Sequence, residues 1–120
     1  MNHPEHNEQV SLFLWAAMQE RSYPELRWMF AVPNSARRSP RQGAWMKSEG
    51  LKSGIWDVFL PAPRGCWHGL FVEMKAGKNV LSPEQKAFRA ALEKHYRFAV
   101  CYNWIEAKTA ILDYLEGTLF

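Results

Sequence analysis

Three residues frame the question of what this chain does: Asp57 in the stretch IWDVFLP, and Glu73 and Lys75 in the stretch GLFVEMKAG. Both stretches read as strands, and side chains two apart on a strand point to the same face. Glu73 and Lys75 therefore share a face with Phe71, and Asp57 reaches the same place if the two strands pair. Taking two carboxylates out of water together costs on the order of several kcal/mol unless something cationic compensates. The lysine ammonium is one such group. A metal ion is the other, because clustered carboxylates supply the hard oxygen ligands that Mg²⁺ and Mn²⁺ prefer. A metal held there binds an oxygen of a phosphodiester and lowers the pKa of an attacking water, while the lysine orients that water or stabilises the developing negative charge. The chemistry is phosphodiester hydrolysis. The same residues also admit a plainer reading, a solvent-facing strand pair with Asp57 exposed nearby.

Spacing alone does not single out Glu73. Glu84-Gln85-Lys86 and Glu106-Ala107-Lys108 repeat it. Both lie in segments with helical periodicity, where residues i and i+2 diverge. Only the Glu73 copy sits on a strand, after an aspartate-bearing strand. Gly54, three residues before Asp57, permits a close backbone approach, either to a ligand or within a turn.

The elements that must position these residues follow from periodicity and punctuation. Val10, Phe13, Leu14, Ala17 and Met18 fall on one face of a helix, which predicts an amphipathic helix over about 5 to 20. Glu5, Glu8, Leu12, Trp15 and Gln19 form a second, mixed stripe, which suits a helix packed on both sides. RWMFAVP, closed by Pro33, predicts a strand, and 34 to 39 a loop. Ser39-Pro40-Arg41-Gln42 has the form of a capping box with proline in the first turn and opens a short helix over 40 to 49, ended by Gly50. Pro61 to Gly65 supplies turn chemistry between the Asp57 and Glu73 strands, which predicts a hairpin. Ser82-Pro83-Glu84-Gln85 repeats the capping box and starts a helix with Ala87, Phe88, Ala91, Leu92 and Tyr96 on its apolar side. FAVCY is a fourth strand, and Asn103 caps a last helix that closes near Gly117. The order α, β, short α, β, β, α, β, α predicts a mixed sheet with helices on its faces, an α/β fold.

At 120 residues the chain is expected to be a single domain over 1–120. It has no apolar run near 18 residues, and MNHPEHNEQ lacks the basic and apolar regions of a secretion signal, so neither a membrane span nor export is expected. Cys66 and Cys101 stand far apart with no CxxC spacing and read as small hydrophobes. His3, His6, His68 and His95 lack the arrangement of a His-Asn-His nuclease, and no glycine-rich phosphate loop is present. The net charge of +3 is unevenly spread. Between Arg27 and Lys52 six positive residues (Arg27, Arg37, Arg38, Arg41, Lys47, Lys52) face one negative, Glu49. That stretch is the candidate footprint for a polyanion, or a solvated basic loop.

Taken together, Gly50-Leu51-Lys52-Ser53-Gly54-Ile55-Trp56-Asp57, Phe71-Val72-Glu73-Met74-Lys75 and Leu81-Ser82-Pro83-Glu84-Gln85, preceded by a helix carrying Glu8, resemble a VRR-NUC domain. This is the virus-type replication-repair branch of the PD-(D/E)XK nucleases, and the resemblance runs from about residue 5 to 116. It implies a restriction-endonuclease-like core with a central mixed sheet of about four strands flanked by helices. It further implies that Asp57 and Glu73 bind Mg²⁺ or Mn²⁺ together with the backbone carbonyl of Met74, and that Lys75 is the catalytic lysine. A first-helix glutamate completes the metal site: Glu8, with Glu5 on the same side as the alternative. Gln85 matches the family's glutamine and could touch the site or the nucleic acid, although a capping box explains it equally well. Trp56 stands where family members usually carry proline, and it reads as a core aromatic.

The resemblance also implies a partner. Stand-alone phage and bacterial members are similar in size and act as homodimers that resolve four-way (Holliday) DNA junctions in recombination and repair. A two-fold dimer presents two equivalent sites to a nearly two-fold junction, and some of the six tryptophans could line its interface. Arg37, Arg38 and Arg41 are then phosphate contacts, with Lys47, Lys52 and Gln85 beside them on the DNA. The expected protein is a metal-dependent, structure-selective endodeoxyribonuclease in the cytoplasm of a bacterium or phage-infected host. The alternatives are a nuclease directed at flaps, ends or duplex sequences, and a non-catalytic nucleic-acid-binding module of the same fold. The filled metal and lysine positions count against the last.

Overall fold

The two strands that carry the chemistry pair as expected, and the rest of the chain is arranged around them. The computed structural model describes residues 4–33 and 39–117. β2 (Val58–Leu60) and β3 (Leu70–Met74) run antiparallel with Val58 opposite Val72 and Leu60 opposite Leu70. β4 (Arg97–Cys101) lies parallel to β3 on one side, and β1 (Phe30–Ala31) antiparallel to β2 on the other. The sheet is therefore mixed, in the order β1-β2-β3-β4. Its parallel pair is bridged by the helix α3 (Pro83–Leu92), the crossover that parallel strands require.

Strand alternation divides the interior in two. Val58, Leu60, Leu70, Val72 and Met74 point to one side and are buried against α1 (Pro4–Met18) through Leu12 and Ala16, and against α4 (Trp104–Glu116) through Ala107, Ile111, Tyr114 and Leu115. On the other side Phe59, Phe71 and Phe98 meet Phe88 and Leu92 of α3, with Trp56 and Leu81. Phe71 and Phe98 stack at 5.2 Å, and Trp56 meets Phe98 edge-on at 4.9 Å. Asp57 and Glu73 share the strand parity of Phe59 and Phe71, so the carboxylates stand at the end of an aromatic layer.

Both capping boxes form: the Ser39 and Ser82 hydroxyls accept from the Gln42 and Gln85 amides, and α2 spans Pro40–Ser48. Asn103 caps α4 through the Glu106 amide, and Gly117 ends it with φ +75°. The far end of α4 is locked to the β2–β3 connection, where Tyr114 donates to the Ala62 carbonyl at 2.6 Å and Arg64, ion-paired with Glu25, donates to the Leu115 carbonyl at 3.0 Å. Among the described residues no helix is long and apolar enough to cross a membrane.

Three expectations are corrected. The helix α1, expected to pack on both sides, leaves one of them open: Val10, Leu14 and Met18 are 45%, 63% and 79% exposed. The helix buries Leu12 and Ala16 on its other side, where Glu8 also accepts from the Trp104 amide. The strand expected over RWMFAVP shrinks to Phe30–Ala31, since Pro24 starts a 3-10 helix that runs to Trp28. Cys66 is exposed, whereas Cys101 is buried and its thiol is pushed up to about 12, first by burial.

Gly54 has φ +85°, and a Cβ on it would lie 2.7 Å from the Glu84 Cβ and 2.8 Å from the Glu84 carbonyl. The close approach is thus to the first turn of α3, which presses the segment before Asp57 against Gln85. Gly65, with φ +56°, has nothing within 4 Å of such a Cβ. Gly54→Ala is accordingly expected to lower unfolding stability by about 2 kcal/mol or more, against about 1 kcal/mol for Gly65→Ala. Paired denaturant titrations measure the contrast.

Candidate active site

Asp57 stands one step beyond the Val58–Val72 pair and so lies opposite Glu73. The two carboxylates are exchanged across the strands. The Asp57 amide donates to Glu73 Oε1 at 3.0 Å, and the Met74 amide donates to Asp57 Oδ2 at 3.0 Å. The Asp57 backbone is fixed from the other side too, where the Val32 amide donates to its carbonyl at 2.7 Å.

Glu73 is only 3% exposed, the one charged residue among the described ones that is buried to this degree. Its Oε2 accepts from Gln85 Nε2 at 2.7 Å and lies 3.3 Å from the Lys75 ammonium. Burial first and the neighbouring Asp57 charge second push the Glu73 carboxyl up to about 7, against the opposing pull of the Asp57 amide, Lys75 and Gln85. Lys75 is the cationic side chain that meets Glu73 among the described residues. The donor set fits a hard divalent cation, which commonly takes one or two carboxylates and fills its remaining positions with water and substrate phosphate.

Gln85 does two jobs at once. Its Oε1 accepts from the Ser82 amide within the capping box, while its Nε2 holds Glu73. The alternatives left open by the sequence are therefore both occupied. Trp56 is fully buried, and its indole N–H donates to the Gln85 carbonyl at 3.0 Å. That contact ties the residue before Asp57 to the glutamine that grips Glu73. Sequence reading took Trp56 as core but missed this tie, whose only signal was the departure from proline at that position.

Other expected residues fall differently. Glu8 Oε1 accepts from the Trp104 amide at 2.8 Å, so this carboxylate meets an orphan N–H at the start of α4. Glu5 accepts from Asn79 Nδ2 at 3.3 Å. Among the described residues no group of three or more His, Cys, Asp or Glu side chains gathers, and the contact Glu8 makes is with the start of α4. Arg41 and Lys47 are exposed on α2, and Lys52 is exposed in the segment leading to Asp57. Arg37 and Arg38 lie outside the described residues.

Comparison with known proteins agrees with this geometry. A family model described as the VRR-NUC domain matches residues 5–104. A solved structure of a VRR_NUC domain protein superposes with a TM-score of 0.78 at 24% identity, covering 97% of this chain and 91% of that one, which shows a shared fold. No functionally curated protein matches.

The raised carboxyl gives a pH prediction. A group protonated more tightly in the folded state contributes stability that is complete below its unfolded value of about 4.5 and is lost as pH rises to about 7. The full displacement corresponds to about 3 kcal/mol at most. In EDTA, the Tm of the wild type should therefore fall relative to that of Glu73→Gln between pH 4.5 and 7, as measured by parallel thermal melts.

Proposed function

The chain belongs to the VRR-NUC domain family, and from that premise we propose that it is a divalent-metal-dependent, structure-selective DNA endonuclease that resolves four-way junctions as a homodimer. The observation that carries the reading is the buried Glu73 carboxylate paired across the strands with the half-buried Asp57, with Lys75 at its edge. In a family member of nuclease type, a buried carboxylate facing a second one across paired strands suits a cation held beside a phosphate.

Asp57 and Glu73, with the Met74 carbonyl, would hold Mg²⁺ or Mn²⁺. When bound, the ion supplies Lewis acidity and a water of lowered pKa. The residues of the chain do the rest. Gln85 fixes the Glu73 carboxylate in one rotamer, so the pair is preorganised before substrate arrives. Lys75, reaching Glu73 from the end of β3, offers its ammonium to the phosphoryl oxygens as negative charge builds on them. Water oxygen then bonds to phosphorus as the bond to the leaving deoxyribose oxygen breaks, the water giving up a proton to solvent and the departing oxygen taking one from it. Arg41, Lys47 and Lys52 contact backbone phosphates and set register without reading sequence, with Arg37 and Arg38 in the same role. Glu8 acts in this reading as the cap that anchors α1 on α4.

Support for a second copy comes from α1. Val10, Leu14 and Met18 form an exposed apolar line along one helix, with a depression lined by His6, Gln9, Val10, Phe13 and Leu14 beside it. Two such lines meeting about a two-fold axis would cover each other and present two sites to one junction. The cytoplasm of a bacterium or phage-infected host is the proposed setting.

Cleavage of a labelled four-way junction, beside a linear duplex, a 5′ flap and single strands of matched sequence, tests the reading. With Mg²⁺ or Mn²⁺ the wild type should make paired cuts near the junction centre, falling at least 100-fold with EDTA, Glu73→Ala or Lys75→Ala. Leu14→Glu should yield a monomer by light scattering, with single nicks in place of paired cuts. Preference for the flap or duplex would establish the alternative nuclease, and binding without cutting in any metal would establish a non-catalytic module.

A further inference from the structure

We propose that α2 presents Trp45 as a stacking platform for an unpaired base of the nucleic acid; this inference rests on the nuclease reading above and refines its substrate class. The helix buries only Gly43. Arg41 and Trp45, four residues apart, lie on one line opposite that glycine. Trp45 is 70% exposed there, and with Arg41 and Gln42 it lines a depression of about 390 Å³. An indole that large on the outermost line of a helix is not part of the folded core.

Charge and position say what covers it. α2 carries Arg41 and Lys47 and no acidic side chain, so it complements a polyanion. It is also inserted in the chain between two segments fixed at the metal carboxylate. The chain leaves β1 with the Val32 amide bonded to the Asp57 carbonyl, and returns after α2 through Gly54, packed on α3, to Asp57 itself. The chain on either side of α2 therefore runs to segments that meet at Asp57. A flat aromatic beside an arginine binds a base by stacking while the guanidinium takes the adjoining phosphate, and only an unpaired base offers its π-face. The arrangement selects DNA with strands opened near the cut, such as the centre of a junction, and gives a paired duplex nothing to stack.

The test uses the whole protein in EDTA, so that binding is read apart from cleavage. The probes are a branched DNA with 2-aminopurine at an unpaired position and a fully paired duplex of the same sequence. Wild type should quench the unpaired 2-aminopurine and bind the branched DNA more tightly. Trp45→Ala should abolish the quenching and weaken branched binding about tenfold while leaving the duplex Kd unchanged, and Trp45→Phe should retain most of both. Equal losses on the two DNAs, unchanged quenching in Trp45→Ala, or a wild type with no preference for the unpaired probe would overturn the proposal. So would a Trp45→Ala protein whose only change is a lower mass by light scattering, which would give the indole to a protein interface. None of these results depends on whether the metal site cuts, and the Glu73→Ala cleavage assay stands or fails separately.

Discussion

A carboxylate buried beside a second carboxylate is a local instability, and much of this fold serves to hold it. Glu73 is kept in place by three donors from three parts of the chain: the Asp57 amide entering β2, Lys75 leaving β3, and Gln85 at the start of α3. Each donor has its own support. The Asp57 backbone is clamped by Val32, Gln85 by its capping box and the Trp56 indole, and the α3 terminus by the contact that only a glycine at 54 permits. Beneath them the aromatic layer of Phe59, Phe71 and Phe98 excludes water and so raises the charge penalty that the donors only partly offset. The geometry is preorganised at a cost in stability, the usual relation between a functional site and its scaffold.

Much of this was legible in the sequence because it is written in short range. Period-two alternation placed Asp57, Glu73 and Lys75, and an aspartate-bearing strand followed by turn residues implied the antiparallel pair. The two Ser-Pro-x-Gln boxes and Asn103 fixed three helix starts, since cap chemistry is local. What sequence did not reveal depends on tertiary partners. α1 is apolar on two sides, so periodicity could not choose between them. The choice fell to Leu12 and Ala16, which nest in the core while the flanking Glu8 reaches the α4 amide. Nor could composition foresee that Gln85 would serve cap and carboxylate together, because its two polar ends are satisfied by residues three and twelve positions away.

The outward surfaces complete the picture. The apolar line of Val10, Leu14 and Met18 on α1 and the Arg41–Trp45 line on α2 are two surfaces that the fold leaves uncovered among the described residues. One suits a second copy and the other a polyanion with open bases. Both are set on regular helices of a rigid frame, which is where recognition surfaces hold their shape best.

The central claim is that the Asp57–Glu73 pair is a cation site, and the most direct measurement is the thermal stability of the metal-free protein titrated with Mg²⁺ or Mn²⁺ at neutral pH. The wild type should gain about 2.7 kcal/mol at a hundred times the Kd, with the gain abolished in Asp57→Asn and Glu73→Gln. Equal gains in all three proteins, or none in the wild type, would contradict the account.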